Sequence, residues 1–364
     1  MISTLKGIVT KIILSNEGIT IAEVKIEKNT FDSDHKTLAI NYDDMVGPVQ
    51  IGDIVVINNT AKILNLGTGG YDFIVSNLSN NNFFNIKDGH IMKLRYTPLQ
   101  INVLSIEEQT SEYHSFFDKF KSLNNFPVII GELHSMVAPT ALVLKQLCPN
   151  IKITYIMTDS ASLPIKFSNT VNQLKKEKII SNTITIGNAF GGDYEAVNIY
   201  TALIAAKEAI ESDIAIVAMG PGIVGTGTKY GFSGIDQANI IDAVNKLGGK
   251  AILIPRISFN DKRERHLGVS HHTKTVLELA NSPCILCFPQ MGKDKTEYIK
   301  EQISSIESKN EIFFIDSSVT EKSIKNFNFK ITTMGRDYNK EKEFFDACGA
   351  AAIYCCTNFY NFSP

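Results

Sequence analysis

The amino-acid sequence predicts an α/β protein in two parts: a small β-barrel-like domain over residues 1–95, then a doubly wound, mostly parallel sheet over residues 96–364. Three observations lead there. The first quarter of the chain reads as short strands broken by glycine and aspartate turns. The remainder carries strand-length apolar runs spaced about 30 residues apart, the length of a strand plus its crossover helix. Segments of helical period lie between those runs.

In the first part, Ala22-Glu23-Val24-Lys25-Ile26-Glu27 alternates apolar and polar side chains, the period of a half-buried strand. Gly47-Pro48 and Gly52-Asp53 punctuate the chain before Ile54-Val55-Val56-Ile57. Such spacing suits a small barrel of SH3-like or OB-like type. Barrels of this kind often bind nucleic acid, but seven lysines face ten acids up to Asp88, the wrong sign for tracking phosphates. No nucleic-acid partner is expected, and a structural or interface role is.

In the second part the runs are Val128–Ile130, Ile153–Ile156, Ile184–Ile186, Ile214–Val217, Ile252–Ile254, Ile285–Cys287 and Ile312–Ile315. They are apolar on both sides of the strand, as expected when helices cover both faces of a parallel sheet. Residues 194–211 place Val197, Tyr200, Leu203, Ile204 and Ile210 on one helical stripe, with Asp193 as the expected N-cap. Residues 163–180 are expected to form a helix opening with Pro164. Repeated strand–helix units of this kind predict a Rossmann-like sheet; a closed eight-fold barrel is the alternative.

Net charge is −2 and 44 % of residues are hydrophobic, so no global basic field draws the chain to nucleic acid or to membrane. No run reaches the roughly 18 apolar residues of a membrane span, and Met1–Gly7 does not begin a signal peptide. The six cysteines sit mostly in apolar segments and read as reduced core residues, which predicts a cytoplasmic protein. Of the 36 basic residues 31 are lysine, and the five arginines are Arg95, Arg256, Arg263, Arg265 and Arg336. A guanidinium grips carboxylate or phosphate with two parallel hydrogen bonds where lysine offers a point charge. Each of the five falls in a segment marked for other reasons.

Ligands of open parallel sheets bind beyond the carboxyl ends of the strands. After Ile214–Val217 comes a loop with five glycines in twelve residues, Gly220 to Gly231. Its backbone can approach an anion closely, which makes Gly220, Gly222, Gly225, Thr226, Gly227 and Thr228 ligand-binding candidates. The spacing is neither a Walker loop nor a dinucleotide fingerprint. Gly191 and Gly192 could open a helix start to the same anion. Arg256, Arg263 and Arg265 lie within ten residues, beside His266, and Ser270 is placed to cap a helix that begins with His271-His272. Arg95 and Arg336 are expected to reach the same edge. His134, Asp159, His271 and His272 are the candidates for proton handling, the last two favoured as neutral imidazoles at a positive helix end. A divalent ion on Asp159, Asp193, His134 or one of the His271/His272 pair has no HxH, HExxH or DxD spacing behind it, and Cys284/Cys287 lie within a strand, so no metal site is assigned.

The segments Arg95-Tyr96-Thr97-Pro98, Thr158-Asp159-Ser160, Gly191-Gly192-Asp193, Gly220 to Gly227, Arg263-Glu264-Arg265-His266 and Ser270-His271-His272 together resemble a bacterial family catalogued as domain of unknown function 3866. The resemblance runs along nearly the whole chain and implies a cytosolic bacterial protein, without activity, substrate or assigned residue. From the residues, the first expectation is an enzyme acting on a phosphorylated or nucleotide-like small anion. The second is a metabolite-binding or sensor protein without chemistry. The third, an NAD(P)-dependent oxidoreductase, suits the fold but lacks its glycine fingerprint. No cofactor is identified, and the oligomeric state, a homo-oligomer included, is left open.

Overall fold

Five strands, Thr4–Asn16, Ile19–Ile26, Lys36–Tyr42, Ile54–Asn58 and Asp72–Asn77, close into a barrel in the spatial order first, second, third, fifth, fourth. This is a computed structural model, and it describes residues 2–16, 18–27, 35–67, 69–80, 86, 88–304 and 307–360. The alternation of the second strand is realised: Ala22 and Val24 are fully buried beside Val9, Ala39, Val55, Ile57 and Ile74. Two register shifts along the first strand, between Val9 and Lys11 and between Ile12 and Leu14, let 13 residues curve around so small a core. The chain forms two units, residues 1–88 with 94–102 and residues 89–93 with 103–364. The segment 89–93 thus belongs with the α/β unit, where Lys93 is buried and donates to the Thr185 and Ala189 carbonyls and to Glu195.

The second unit is an eight-stranded, all-parallel sheet flanked by helices, a Rossmann-like arrangement. In spatial order its strands are Tyr194–Ala196, Asn182–Ile186, Ile153–Thr158, Ile214–Met219, Pro127–Gly131, Lys250–Leu253, Ile285–Pro289 and Glu311–Ile315. All seven predicted runs are strands, and the central ones are buried along their whole length. The open order rules out the closed eight-fold barrel. From Pro127–Gly131 the chain steps outward to Tyr194–Ala196, returns to the middle at Ile214–Met219, and then steps to the opposite edge. The reversal falls between Pro127–Gly131 and Ile214–Met219, which are hydrogen-bonded neighbours with Gly131 opposite Ala218. Loops leaving the carboxyl ends of two such strands diverge and leave a crevice.

Two predicted helices are corrected. Tyr194–Ala196 is a strand paired with Ile184–Ile186, and the helix begins only at Ile199, capped by Asn198 in a capping box with Thr201. Glu195 holds the strand in place by accepting from Lys93, Thr185 Oγ1 and Gly191 N. Asp193 is therefore not the cap; its carboxylate accepts from Thr183 N and Oγ1 and pairs with Lys175. Pro164 is extended, and the next α-helix is Asn169–Lys176, whose first turn Ser168 caps. Thr333 and Arg336 bridge a tight turn. Among the described residues no helix is long and apolar enough to cross a membrane.

Candidate functional site

Glu132 directly follows Gly131 at the carboxyl end of a central strand and is almost completely buried. Its Oε1 accepts from Arg256 Nη1 at 3.0 Å and from His272 Nδ1. Arg256 lies just beyond the adjacent Lys250–Leu253 strand and is itself 6 % exposed. Burial alone would raise the Glu132 carboxyl, but the His272 hydrogen bond and the Arg256 charge outweigh it and hold the group below its ordinary range. Glu132 is thus an ionised carboxylate locked beneath the rim of the sheet.

Local folding brings the histidines to it. A two-residue ribbon pairs Ile257 with Val269 and Ser258 with Gly268, returning the 259–267 excursion to its origin. Ser270 N then donates to the Arg256 carbonyl, and Ser270 Oγ caps the His271–Leu279 helix by accepting from His272 N. This sets His271 and His272 beside Arg256, with His266 folded back so that its Nδ1 lies 2.8 Å from Ser270 Oγ. Ring centroids are 4.3 Å apart for His271 and His272 and 5.0 Å from His266 to each. Phe232 stacks parallel on His272 at 3.8 Å. Burial, reinforced by the Arg256 and Arg263 charges, lowers His266 to about 3; burial, with His272 and Arg265 nearby, lowers His271 to about 4. Both are neutral near pH 7. The dominant cause is burial rather than the helix end invoked from the sequence.

The glycine-rich loop closes over this cluster from the other strand of the reversal. Gly225 bridges to Phe232, and Thr226 N donates to the Gly231 carbonyl at 2.7 Å, making a small exposed hairpin whose base carries the stacking phenylalanine. Thr226 and Thr228 hydroxyls meet at 2.9 Å. A Cβ placed on Gly227 would stand 3.9 Å from Arg265 Nη1, so loop and guanidinium are neighbours. Gly220 and Gly222 lie at the root of the loop, the former so close to the Ser162 carbonyl that a Cβ would come within 2.3 Å.

The arginines divide. Arg256 is spent on Glu132, Arg263 clasps Asp261 with Nε and Nη2 at 2.9 and 2.7 Å, and Arg336 Nε lies 2.7 Å from Glu341. Arg263 keeps the Asp261 carboxyl far below its usual range. Arg95 is exposed and belongs to the first unit. Arg265 alone, among the described arginines of the second unit, is exposed and without a carboxylate partner. Met334, on the turn before Arg336, does reach the cluster, with its sulfur 3.7 Å from Arg256 Nη2.

Four other expected residues make contacts within the fold. His134 Nε2 lies 2.6 Å from Ser168 Oγ, which also accepts from Val171 N; Nδ1 faces the Met219 carbonyl at 3.3 Å. Burial lowers His134 to about 4. Asp159 accepts from Asn188 N at 3.0 Å and is pressed against Gly187, tying two adjacent loops. Gly191 and Gly192 precede a strand, not a helix, and a Cβ on Gly192 would meet the Tyr194 carbonyl at 2.8 Å. Sequence reasoning missed Glu132 and Phe232. A carboxylate placed immediately after a fully apolar parallel strand was the available signal for the first; Phe232 carried none.

A family model described as protein of unknown function (DUF3866) matches residues 38–352. No curated protein matches the chain.

Proposed function

The chain belongs to the DUF3866 family, whose description carries no activity, and from the residues themselves we propose that it is an enzyme acting on a small phosphorylated or nucleotide-like anion. The substrate sits at the carboxyl edge of the sheet, between the Gly225–Thr228 loop, Arg265 and His271. The observation that carries the reading is Arg265: an unpaired guanidinium beside a glycine turn and a neutral histidine, above a buried Glu132–Arg256–His272 network. A buried ionic network costs desolvation that apolar packing avoids, so its presence at a strand-order reversal points to chemistry rather than to stability. His271 and His272 handle protons, while Arg256 positions the carboxylate instead of binding substrate. A bacterial cytoplasm suits six cysteines that are all free. The self-pairing of Arg256, Arg263 and Arg336 favours a second reading, a sensor with a single anion contact and no turnover.

The test is thermal shift with pyrophosphate, AMP, ADP, ATP and NAD at millimolar concentration. A ligand at 100 times its Kd should add about 2.7 kcal/mol of stability. Arg265→Ala should abolish the shift, and His271→Ala should abolish turnover of the stabilising compound while keeping the shift. Silence from every compound would end the anion reading; a shift without turnover would leave the sensor.

A further inference from the structure

We propose that His266, His271 and His272 form a three-imidazole site for a zinc-like divalent cation, with Glu132 and Ser270 orienting its ligands. One ring nitrogen from each histidine lies within 4.8 Å of the other two. Tetrahedral zinc holds its nitrogens at about 2.0–2.1 Å, hence about 3.4 Å from one another, so ring movements on the order of 1 Å close the set. His271 Nε2 is buried and has no hydrogen-bond partner. A polar atom in that state is costly, and a metal lone-pair acceptor resolves it.

The surroundings are those of ligands rather than of packing alone. His272 sets Nδ1 against Glu132 and His266 sets Nδ1 against Ser270 Oγ, so Nε2 is the nitrogen each ring has left to offer an ion. Metal-binding imidazoles have such carboxylate or oxygen partners on the far nitrogen, which fix tautomer and ring orientation. Glu132 is already balanced by Arg256, so it serves as an orienting group and not as a ligand. Three nitrogens and no oxygen donor select zinc, cobalt or nickel over magnesium or calcium. Three protein ligands also leave a fourth position open, as in catalytic rather than structural sites. The metal site thus deepens the anion-enzyme reading and shares His271 and His272 with it, which are ligands rather than proton carriers when the ion is bound.

The experiment uses the untagged full chain, stripped with chelator and titrated with Co2+ and then Zn2+. One equivalent of cobalt should bind with visible absorption of a low-coordinate nitrogen site, and zinc should bleach it. Glu132→Gln should weaken binding by about 10–100-fold, and His271→Ala, which removes a ligand, by more. No stoichiometric uptake, or an unchanged cobalt spectrum in a folded His271→Ala, overturns the site. Should that variant not fold, nitrogen NMR of the wild-type imidazoles decides, because zinc must shift all three histidines and no fewer. Cobalt uptake without any anion-dependent stabilisation would keep the metal and remove the anion, and the reverse pattern would do the opposite.

Discussion

Arg256 Nη1 and Glu132 Oε1 meet at 3.0 Å with both side chains buried, so each charge has exchanged water for the other. Breaking one member of such a pair leaves the second uncompensated, which costs about 3–5 kcal/mol, whereas replacing both by apolar groups can be near neutral. Arg256→Met should therefore lower the unfolding free energy by that amount, and Arg256→Met/Glu132→Met should recover much of it. Urea denaturation of the two variants checks this. A single substitution costing under 1 kcal/mol would show that the pair does not hold the rim together.

Acid should destabilise the fold through His134. Burial lowers it to about 4 from its ordinary 6.5, so between those values the unfolded chain binds a proton that the folded chain refuses. Stability then rises with pH across that window and is fully present above 6.5. His134→Gln keeps a donor and an acceptor but does not titrate, so its melting temperature should fall less than wild type between pH 6.5 and 4. The difference is at most about 3 kcal/mol. Parallel melting curves would contradict it.

The sheet was legible because covering both faces with helices forces unbroken apolar runs, and seven of eight strands announced themselves in that way. Tyr194–Ala196 did not: its three residues are too short to show a period, and Val197 and Tyr200, counted on a helical stripe, are both 44 % exposed. The histidine cluster was legible as spacing in the chain. The arginine pairings were not legible, because a local sequence does not show that Asp261 turns its oxygens back to Arg263, or that Glu341 lies beside Arg336. Counter-charges supplied from 2 to 124 residues away decide whether an arginine is available to a ligand.

Thiol reagents should find little. Cys284, Cys287, Cys348, Cys355 and Cys356 are buried, and burial pushes the Cys284 thiol up to about 12. Thiolate, the reactive form, is correspondingly scarce. Ellman's reagent on the native chain should label at most Cys148, the half-buried one, with the other five appearing only on unfolding. Rapid reaction of Cys348, Cys355 or Cys356 would mean that the core helix Lys342–Phe359 opens readily.

Two glycines of one loop separate folding from ligand approach. A Cβ on Gly220 would stand 2.3 Å from the Ser162 carbonyl, a backbone atom that cannot swing aside. Gly220→Ala should therefore cost about 1–3 kcal/mol, the range of overpacked sites, whatever the loop binds. At Gly225 the nearest atoms to a Cβ are 3.6 and 3.8 Å away, ordinary contact distances. Gly225→Ala should change stability by no more than about 0.5 kcal/mol. If the backbone there approaches an anion, the same methyl group blocks it, so Gly225→Ala should melt like wild type and lose the stabilisation that pyrophosphate or a nucleotide confers. A variant that melts like wild type and still responds in full would mean that this glycine serves the hairpin alone, and would move the anion away from the loop.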